Sequence, residues 1–409
     1  MHSPLMKLTG CLVRSSISKE IAFERTCPQF GVRFRGITDV IAVDNPVTRL
    51  SRRLGMICRK GRVVIRESLA AFVCLIAGLA GVAQNTATAP PLAIDAKPIP
   101  VLSGGVAFVP TWDRGNPTLV SIISPVLLVP LGSNLVFEAR AAFEGDFQRR
   151  NGNSGDFTGA VQKSLDYMEL DYIANRYVTV TAGRFLTPFN IFNERLYPNW
   201  IRNTQTDPLI FPIGTGSGNG LMLRGGIAGN QRISLNYAVY FSALSNADRF
   251  ESERHAGMRA GLFLPRERFE IGMSVQHQLQ DQRLTRYGFH LQWQPLRVPL
   301  ELRSEGAYSE EEGNGLWIEG AFRFRNASST ALRRAQVVCR TQAFHTGSAT
   351  NMSLPATGTK RTEFGMNYYL NDGWKGLFSY GRTFTPLGDS NIWTVGMTYR
   401  FVLPLGPAQ

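Results

Sequence analysis

Beyond residue 83 the chain has one cysteine, Cys339, and four lysines, Lys97, Lys163, Lys360 and Lys375. One thiol closes no internal disulfide and builds no Cys-rich zinc site; on a strand it reads as a small apolar residue. No continuous apolar run reaches the roughly 18 to 20 residues of a transmembrane helix; the most hydrophobic stretch, Leu69 to Val82, is 14 residues long. There is no heptad run and no metal-spaced His/Cys cluster, so the sequence calls for no metal and no cofactor. Gly214-Thr215-Gly216-Ser217-Gly218 precedes a strand pattern and not a helix, which makes it a loop hinge and not a dinucleotide fingerprint. Excess charge of one sign is also missing from most of the chain. Residues 1–83 hold 13 basic and 5 acidic side chains of the 44 and 31 in total, leaving the remainder near +5 and excluding nucleic acid as the expected partner.

What is present points to β-structure and export. The chain has 40 Gly, 25 Phe, 12 Tyr and 6 Trp, a composition unlike a helical enzyme. Met56 opens the basic stretch Met56-Ile57-Cys58-Arg59-Lys60-Gly61-Arg62; the apolar run follows, and Gly81-Val82-Ala83 places small residues at −3 and −1. Residues 56–83 therefore read as a secretory signal peptide. Residues 1–55 are expected to be a start-site artefact ahead of Met56, with a real N-terminal extension as the alternative that N-terminal sequencing would reveal. Residues 84–100 then form a short periplasmic linker.

From Val101 one pattern repeats. Ile233, Leu235, Tyr237, Val239 and Phe241 alternate with Ser234, Asn236, Ala238, Tyr240 and Ser242; Phe269, Ile271, Met273 and Val275 alternate with Glu270, Gly272, Ser274 and Gln276. Segments of about ten residues match a tilted bilayer-crossing strand. Strands are placed at 101–110, 118–130, 135–148, 162–173, 177–185, 220–229, 233–242, 255–264, 269–278, 286–294, 300–308, 315–324, 334–344, 360–370, 376–384 and 391–401. Sixteen is even, as an antiparallel barrel with both ends on one side requires. Tight turns such as Leu131-Gly132-Ser133-Asn134 and Asn371-Asp372-Gly373-Trp374 alternate with the longer links 111–117, 149–161, 186–219, 243–254, 279–285, 309–314, 345–359 and 385–390; only the turn 325–333 is longer than its class. The fold class is all-β: a transmembrane antiparallel β-barrel over 101–401, with short periplasmic turns, long extracellular loops and 402–409 as an overhang.

A barrel this wide holds water, so its apolar faces must meet outer-membrane lipid. Tyr177, Phe185, Phe324, Trp374, Phe384 and Trp393 near strand ends fit interfacial girdles. Alternation turns Arg140, Arg224, Arg259, Arg303, Arg323, Arg334, Arg340, Arg361 and Arg400 inward, with Glu138, Glu144, Asp146, Glu270, Glu301, Glu305, Glu319 and Glu363. The numbers nearly cancel, but the body has 27 Arg, whose planar fork suits anions. Two readings stay open: a weak lean to anions, and Arg–Glu pairs forming the transverse dipole of a general porin.

Two resemblances add to this. Thr394, Gly396, Tyr399 and Phe401 on the last strand resemble the outer-membrane assembly signal, which implies the barrel assembly machinery as a partner. Val402 to Gln409 follow the aromatic that ends the chain in most proteins with that signal. Leu165-Asp166-Tyr167-Met168-Glu169-Leu170-Asp171-Tyr172, Gly183-Arg184-Phe185-Leu186-Thr187-Pro188-Phe189 and Phe192-Asn193-Glu194-Arg195 resemble the phosphate-selective porin O/P type of outer-membrane porin. That resemblance implies a homotrimeric, sixteen-stranded channel whose third extracellular loop folds inward as a constriction. Phosphate selectivity in that family also rests on pore lysines, so the substrate does not carry over to a body with four.

Link 186–219, the longest, is the expected constriction, with Glu194, Arg195, Arg202 and Asp207 on it and Arg195 and Arg202 leading in solute contact. Arg140, Arg259, Arg303, Glu305, Glu319, Arg323, Arg340 and Arg361 are expected to line the lumen. The expected function is passive diffusion of small hydrophilic solutes through an outer-membrane channel. The alternatives are a closed structural or adhesive barrel and, last, a barrel-embedded enzyme. For the enzyme, no Ser near His255, His277, His290 or His345 shows a nucleophile pattern. Glu310-Glu311-Glu312 reads as a solvated acidic loop.

Overall fold

The computed structural model describes residues 99–151, 154–228, 232–247, 250–280, 283–347 and 354–406. The expected signal peptide, the expected upstream extension and nearly all of the expected linker lie outside the described residues. Strict in–out alternation along the chain produces one closed sheet of sixteen antiparallel strands, each paired to its sequence neighbours, with β1 (Val101–Asp113) closing on β16 (Gly388–Pro404). Between them run β2 (Asn116–Pro130), β3 (Leu135–Asn151), β4 (Ser154–Ile173), β5 (Thr179–Leu186), β6 (Ser217–Ala228), β7 (Ser234–Ala243), β8 (His255–Leu264) and β9 (Phe269–Gln278). The circuit continues through β10 (Thr285–Trp293), β11 (Leu300–Ser309), β12 (Gly313–Arg323), β13 (Ala335–Thr346), β14 (Thr359–Tyr369) and β15 (Trp374–Thr385). Closure leaves no unpaired sheet edge at the seam, which runs from Val101↔Pro404 to Asp113↔Ile392.

Outward positions carry the apolar residues that lipid requires: Phe108, Ile123, Leu221, Met273, Phe289 and Phe364 are all exposed. With both chain ends of the barrel on one side, a belt of this kind identifies an outer-membrane barrel. Aromatic pairs mark its rims, with Trp374 on Tyr399 at 4.5 Å at one end and Trp393 on Tyr380 at 4.4 Å at the other.

Several boundaries differ from the sequence reading. Link 111–117 shrinks to the two-residue turn Arg114-Gly115, both at positive φ (52° and 81°), as the twist of a tight hairpin demands. Link 385–390 likewise reduces to Pro386-Leu387. The 149–161 link is mostly a ladder: β3 and β4 stay paired out to Arg149↔Phe157 and Asn151↔Ser154. The long turn after β12 holds one helical turn, α1 (Thr330–Arg333), and Arg334, expected on β13, caps that turn as an exposed residue ahead of the strand. β16 runs three residues past Phe401 to Pro404; its Thr394 is buried, Tyr399 stacks on Trp374, and Gly396 lets the Phe108 carbonyl of β1 approach.

Candidate functional site

The segment between β5 and β6 turns into the barrel because its own residues tie off its neck. Thr187 N–H donates to the Gly216 carbonyl at 3.0 Å, and Asn193 Nδ2 donates to the carbonyls of Thr187 and Gly216 at 3.0 and 2.9 Å. Phe185, expected at a lipid interface, is fully buried inside with Met222, Ala238 and Tyr240; β5 ends there, so its ring points to where the chain leaves the wall.

The first half of the loop is fixed to β8, β9 and β11. Asn190 N–H donates to Ser274 Oγ at 2.9 Å, and the Ile191 and Phe192 N–H groups both donate to Glu305 Oε1, at 2.6 and 2.5 Å. Those amides open the five-residue helical turn Phe192–Leu196, and Trp317 Nε1 donates to the other Glu305 oxygen at 3.1 Å. A buried carboxylate is thus satisfied by three neutral donors. Arg259 donates to the Asn190 carbonyl at 2.9 Å and to Glu194 at 2.5 Å, while Arg195 donates to Glu270 at 2.8 Å.

The second half reaches β12 to β15. Asn203 Nδ2 donates to Glu319 at 2.8 Å, Leu209 N–H to Gln342 Oε1 at 2.9 Å, and Thr206 Oγ1 to Glu363 at 2.5 Å. Arg340 donates to the Thr206 carbonyl at 2.7 Å and to Glu363 Oε2 at 2.5 Å. Lys375 Nζ donates to the carbonyls of Trp200 and Arg202 at 3.1 and 2.6 Å. Beneath these contacts Phe189, Ile191, Phe192, Leu196, Leu209, Ile210 and Ile213 pack on Ala307, Trp317 and Phe344 of the wall. At its tip Trp200 packs on Gly105 of β1, where an added Cβ would come within 2.1 Å of the indole. Arg140 of β3 lies 5.5 Å from the ring centres of both Trp200 and Tyr197. Burial also lifts the Tyr197 phenol above its ordinary pKa, so the ring stays neutral beside Arg202.

We expect Gly105→Leu to push Trp200 off β1 and shift the loop tip, changing single-channel conductance while leaving the heat-modifiable electrophoretic mobility of the folded barrel intact.

The residues singled out in the sequence fall into two groups. Arg259, Glu305, Glu319 and Arg340 do face inward, but they are buried under the loop and hold it. Arg303 is buried beside Glu301 at 2.5 Å. Arg361 is partly exposed and donates to the Asp207 carbonyl at 3.4 Å; Arg323 lies over the Tyr369 ring at 4.0 Å. Arg140 pairs with Asp166 at 3.1 Å, and Arg224 with Asp171 at 2.5 Å. The Arg–carboxylate pairing weighed as one of two readings is therefore the dominant arrangement. Of the loop charges, Arg195 and Arg202 are held by Glu270 and Asp207, and Glu194 is buried on Arg259. Glu312 is not solvated: it is buried, with Arg286 at 2.6 and 2.7 Å.

Sequence reasoning missed Gly105, Lys375, Asn203, Thr206 and Trp317. One signal was available, because Ala307, Trp317 and Phe344 occupy the inward register of otherwise polar faces. Ser242, Ser252 and His255 also converge at the mouth. The two hydroxyls lie 2.7 Å apart, and Ser242 donates to the Glu253 carbonyl.

A closed even-stranded barrel, apolar outside and polar inside, with a long loop folded into its lumen, has the porin fold of the outer membrane. No protein-family model matches the chain, and no curated protein matches it. Among solved structures, OmpF of Salmonella typhi in complex with daunomycin has a TM-score of 0.52 at 12% identity, covering 74% of this chain and 97% of that one. An anion-selective porin from Comamonas acidovorans has a TM-score of 0.48 at 12% identity, over 75% and 100% of the two chains. The outer membrane channel DcaP of Acinetobacter baumannii has 0.44 at 12%, over 74% and 97%. At 12% identity the likeness to OmpF is one of fold.

Proposed function

We propose that the protein is a porin, a passive diffusion channel for small hydrophilic solutes, working as a homotrimer. The observation that carries this reading is the loop 187–216, fastened inside a polar-walled barrel by wall side chains from β8 to β15. Such a loop narrows the lumen at mid-height, so transport is governed by size exclusion and by local charge, with no chemical step. The segments that resemble the phosphate-selective porin O/P type fall on β4, on the β5–loop junction and on the helical turn. They supply the neck (Thr187, Asn193) and the Glu194–Arg259 contact, which supports a shared loop architecture. They supply no lysine, and Lys375 is occupied by loop carbonyls, so phosphate is not proposed as the solute.

The test is reconstitution of the purified barrel in a planar bilayer. Stepwise conductance is expected. A folded barrel that never conducts would replace this reading with the closed structural barrel, in which the loop is a permanent plug.

A further inference from the structure

The loop's charges are not presented equally to the lumen. Arg195 is 25% exposed and bonded to Glu270; Glu194 is buried on Arg259. The Arg202 side chain is 8% exposed, with its guanidinium 5.2 Å from the Phe192 ring centre and 4.8 Å from that of Tyr197. It donates to the carbonyls of Tyr197 and Gln205 and to Asp207 Oδ1 at 2.7 Å. Asp207 is 50% exposed. One ion pair therefore has its cation covered by rings and its anion in water.

The facing wall does not restore the balance. Arg140 is 3% exposed, paired with Asp166 and covered by the Tyr197 and Trp200 rings. Glu144, partly exposed, lies within electrostatic reach of Asp207, Asp146 and Asp166 as well as Arg202. Arg361 is the partly exposed cation beside Asp207, and it contacts the Asp207 backbone carbonyl at 3.4 Å and not the carboxylate. At this level the half-exposed Asp207 carboxylate and the partly exposed Glu144 stand against one partly exposed cation, Arg361.

We infer that Asp207 is the specificity-determining residue of the lumen and that it gives the channel a preference for cations, opposite to the lean suggested by arginine content. This rests on the diffusion-channel reading. The charge acts through space on the passing ion and binds nothing permanently.

The experiment compares protein purified from outer membranes as wild type, Asp207→Asn, Asp207→Lys, Arg361→Gln and, as a lipid-side control, Lys163→Gln. Reversal potentials are measured under a KCl gradient near 0.1 M, where screening is moderate. The wild-type K+/Cl− permeability ratio is expected at about two- to fivefold, the scale of one unit charge a few ångströms from the ion in water-like dielectric. It should fall to about one in Asp207→Asn, drop below one in Asp207→Lys, rise in Arg361→Gln and stay put in Lys163→Gln. A conducting wild type with a ratio of one or below, or a ratio unmoved by both Asp207 variants in folded barrels, overturns the role of Asp207 alone. Absence of conductance in every folded variant overturns the channel reading itself, and with it this inference.

Discussion

Glu305→Ala is expected to free the first half of the lumen loop and raise single-channel conductance by a factor of several. Removing this carboxylate orphans three buried donors, the amides of Ile191 and Phe192 and the indole N–H of Trp317. Each unsatisfied donor costs about 1–3 kcal/mol, so together they exceed what keeps one loop segment against a wall. The barrel ladder, which uses only backbone bonds at this position, survives: Glu305 pairs with Trp317 and His290 through main-chain register. The measurement is paired: conductance in a bilayer, and protease cleavage within 187–216 in detergent. Unchanged conductance together with an uncleaved loop would show that the carboxylate does not hold it. Glu305→Gln separates acceptance from charge. Its amide oxygen can still accept from the loop amides, so it should lie between Ala and wild type.

The second large effect is at the other end of the loop. Arg340 and Glu363 are both almost fully buried and both hold Thr206. Arg340→Ala removes the cation from the buried Glu363 carboxylate and leaves it only the neutral donors Thr206 and Gln342, a loss on the scale of about 3–5 kcal/mol. The unfolding midpoint in denaturant should drop accordingly, and the loop should loosen at Thr206, which keeps its own bond to Glu363. The double variant Arg340→Met with Glu363→Leu removes both charges and should recover most of the lost barrel stability. It should not recover the loop position, since neither replacement can bond Thr206. If the double variant were as unstable as Arg340→Ala, the cost would lie in packing and not in the stranded charge.

How far the sequence reached follows from what alternation encodes. β8 and β9 fall at their expected residues, because a period-two pattern with a lipid-facing side tolerates no slip of register. Links 111–117 and 385–390 were read too long because small polar residues such as Thr111, Thr385 and Ser390 suit a loop and an inward strand position equally. The inward direction of Arg259, Arg303 and Arg340 was legible from parity alone. Their partners were not, since Glu194 and Thr206 reach the wall from a segment without period. Arg195 and Arg202 looked like free cations because sequence shows charge but not the ring faces and carboxylates that cover it. Phe185 was misplaced for a related reason: nothing in an aromatic strand end tells which side of the wall the next residues will take.

The placement of the loop's anchors along the chain has a kinetic side. Its wall contacts join residues 69, 114, 134 and 173 positions apart, nearly all of them later in the chain than the loop itself. Such distant pairing is slow to form, because loop-closure entropy is lost before any contact repays it. The loop cannot seat by neighbour-to-neighbour zippering, because Trp200 packs on Gly105 of β1 while its carbonyl accepts from Lys375 of β15, so its seat draws on both sides of the seam between β1 and β16. Occupancy of both Trp200 contacts together therefore reports that the two ends of the sheet have met. A probe on Trp200 would read barrel completion as a single late event.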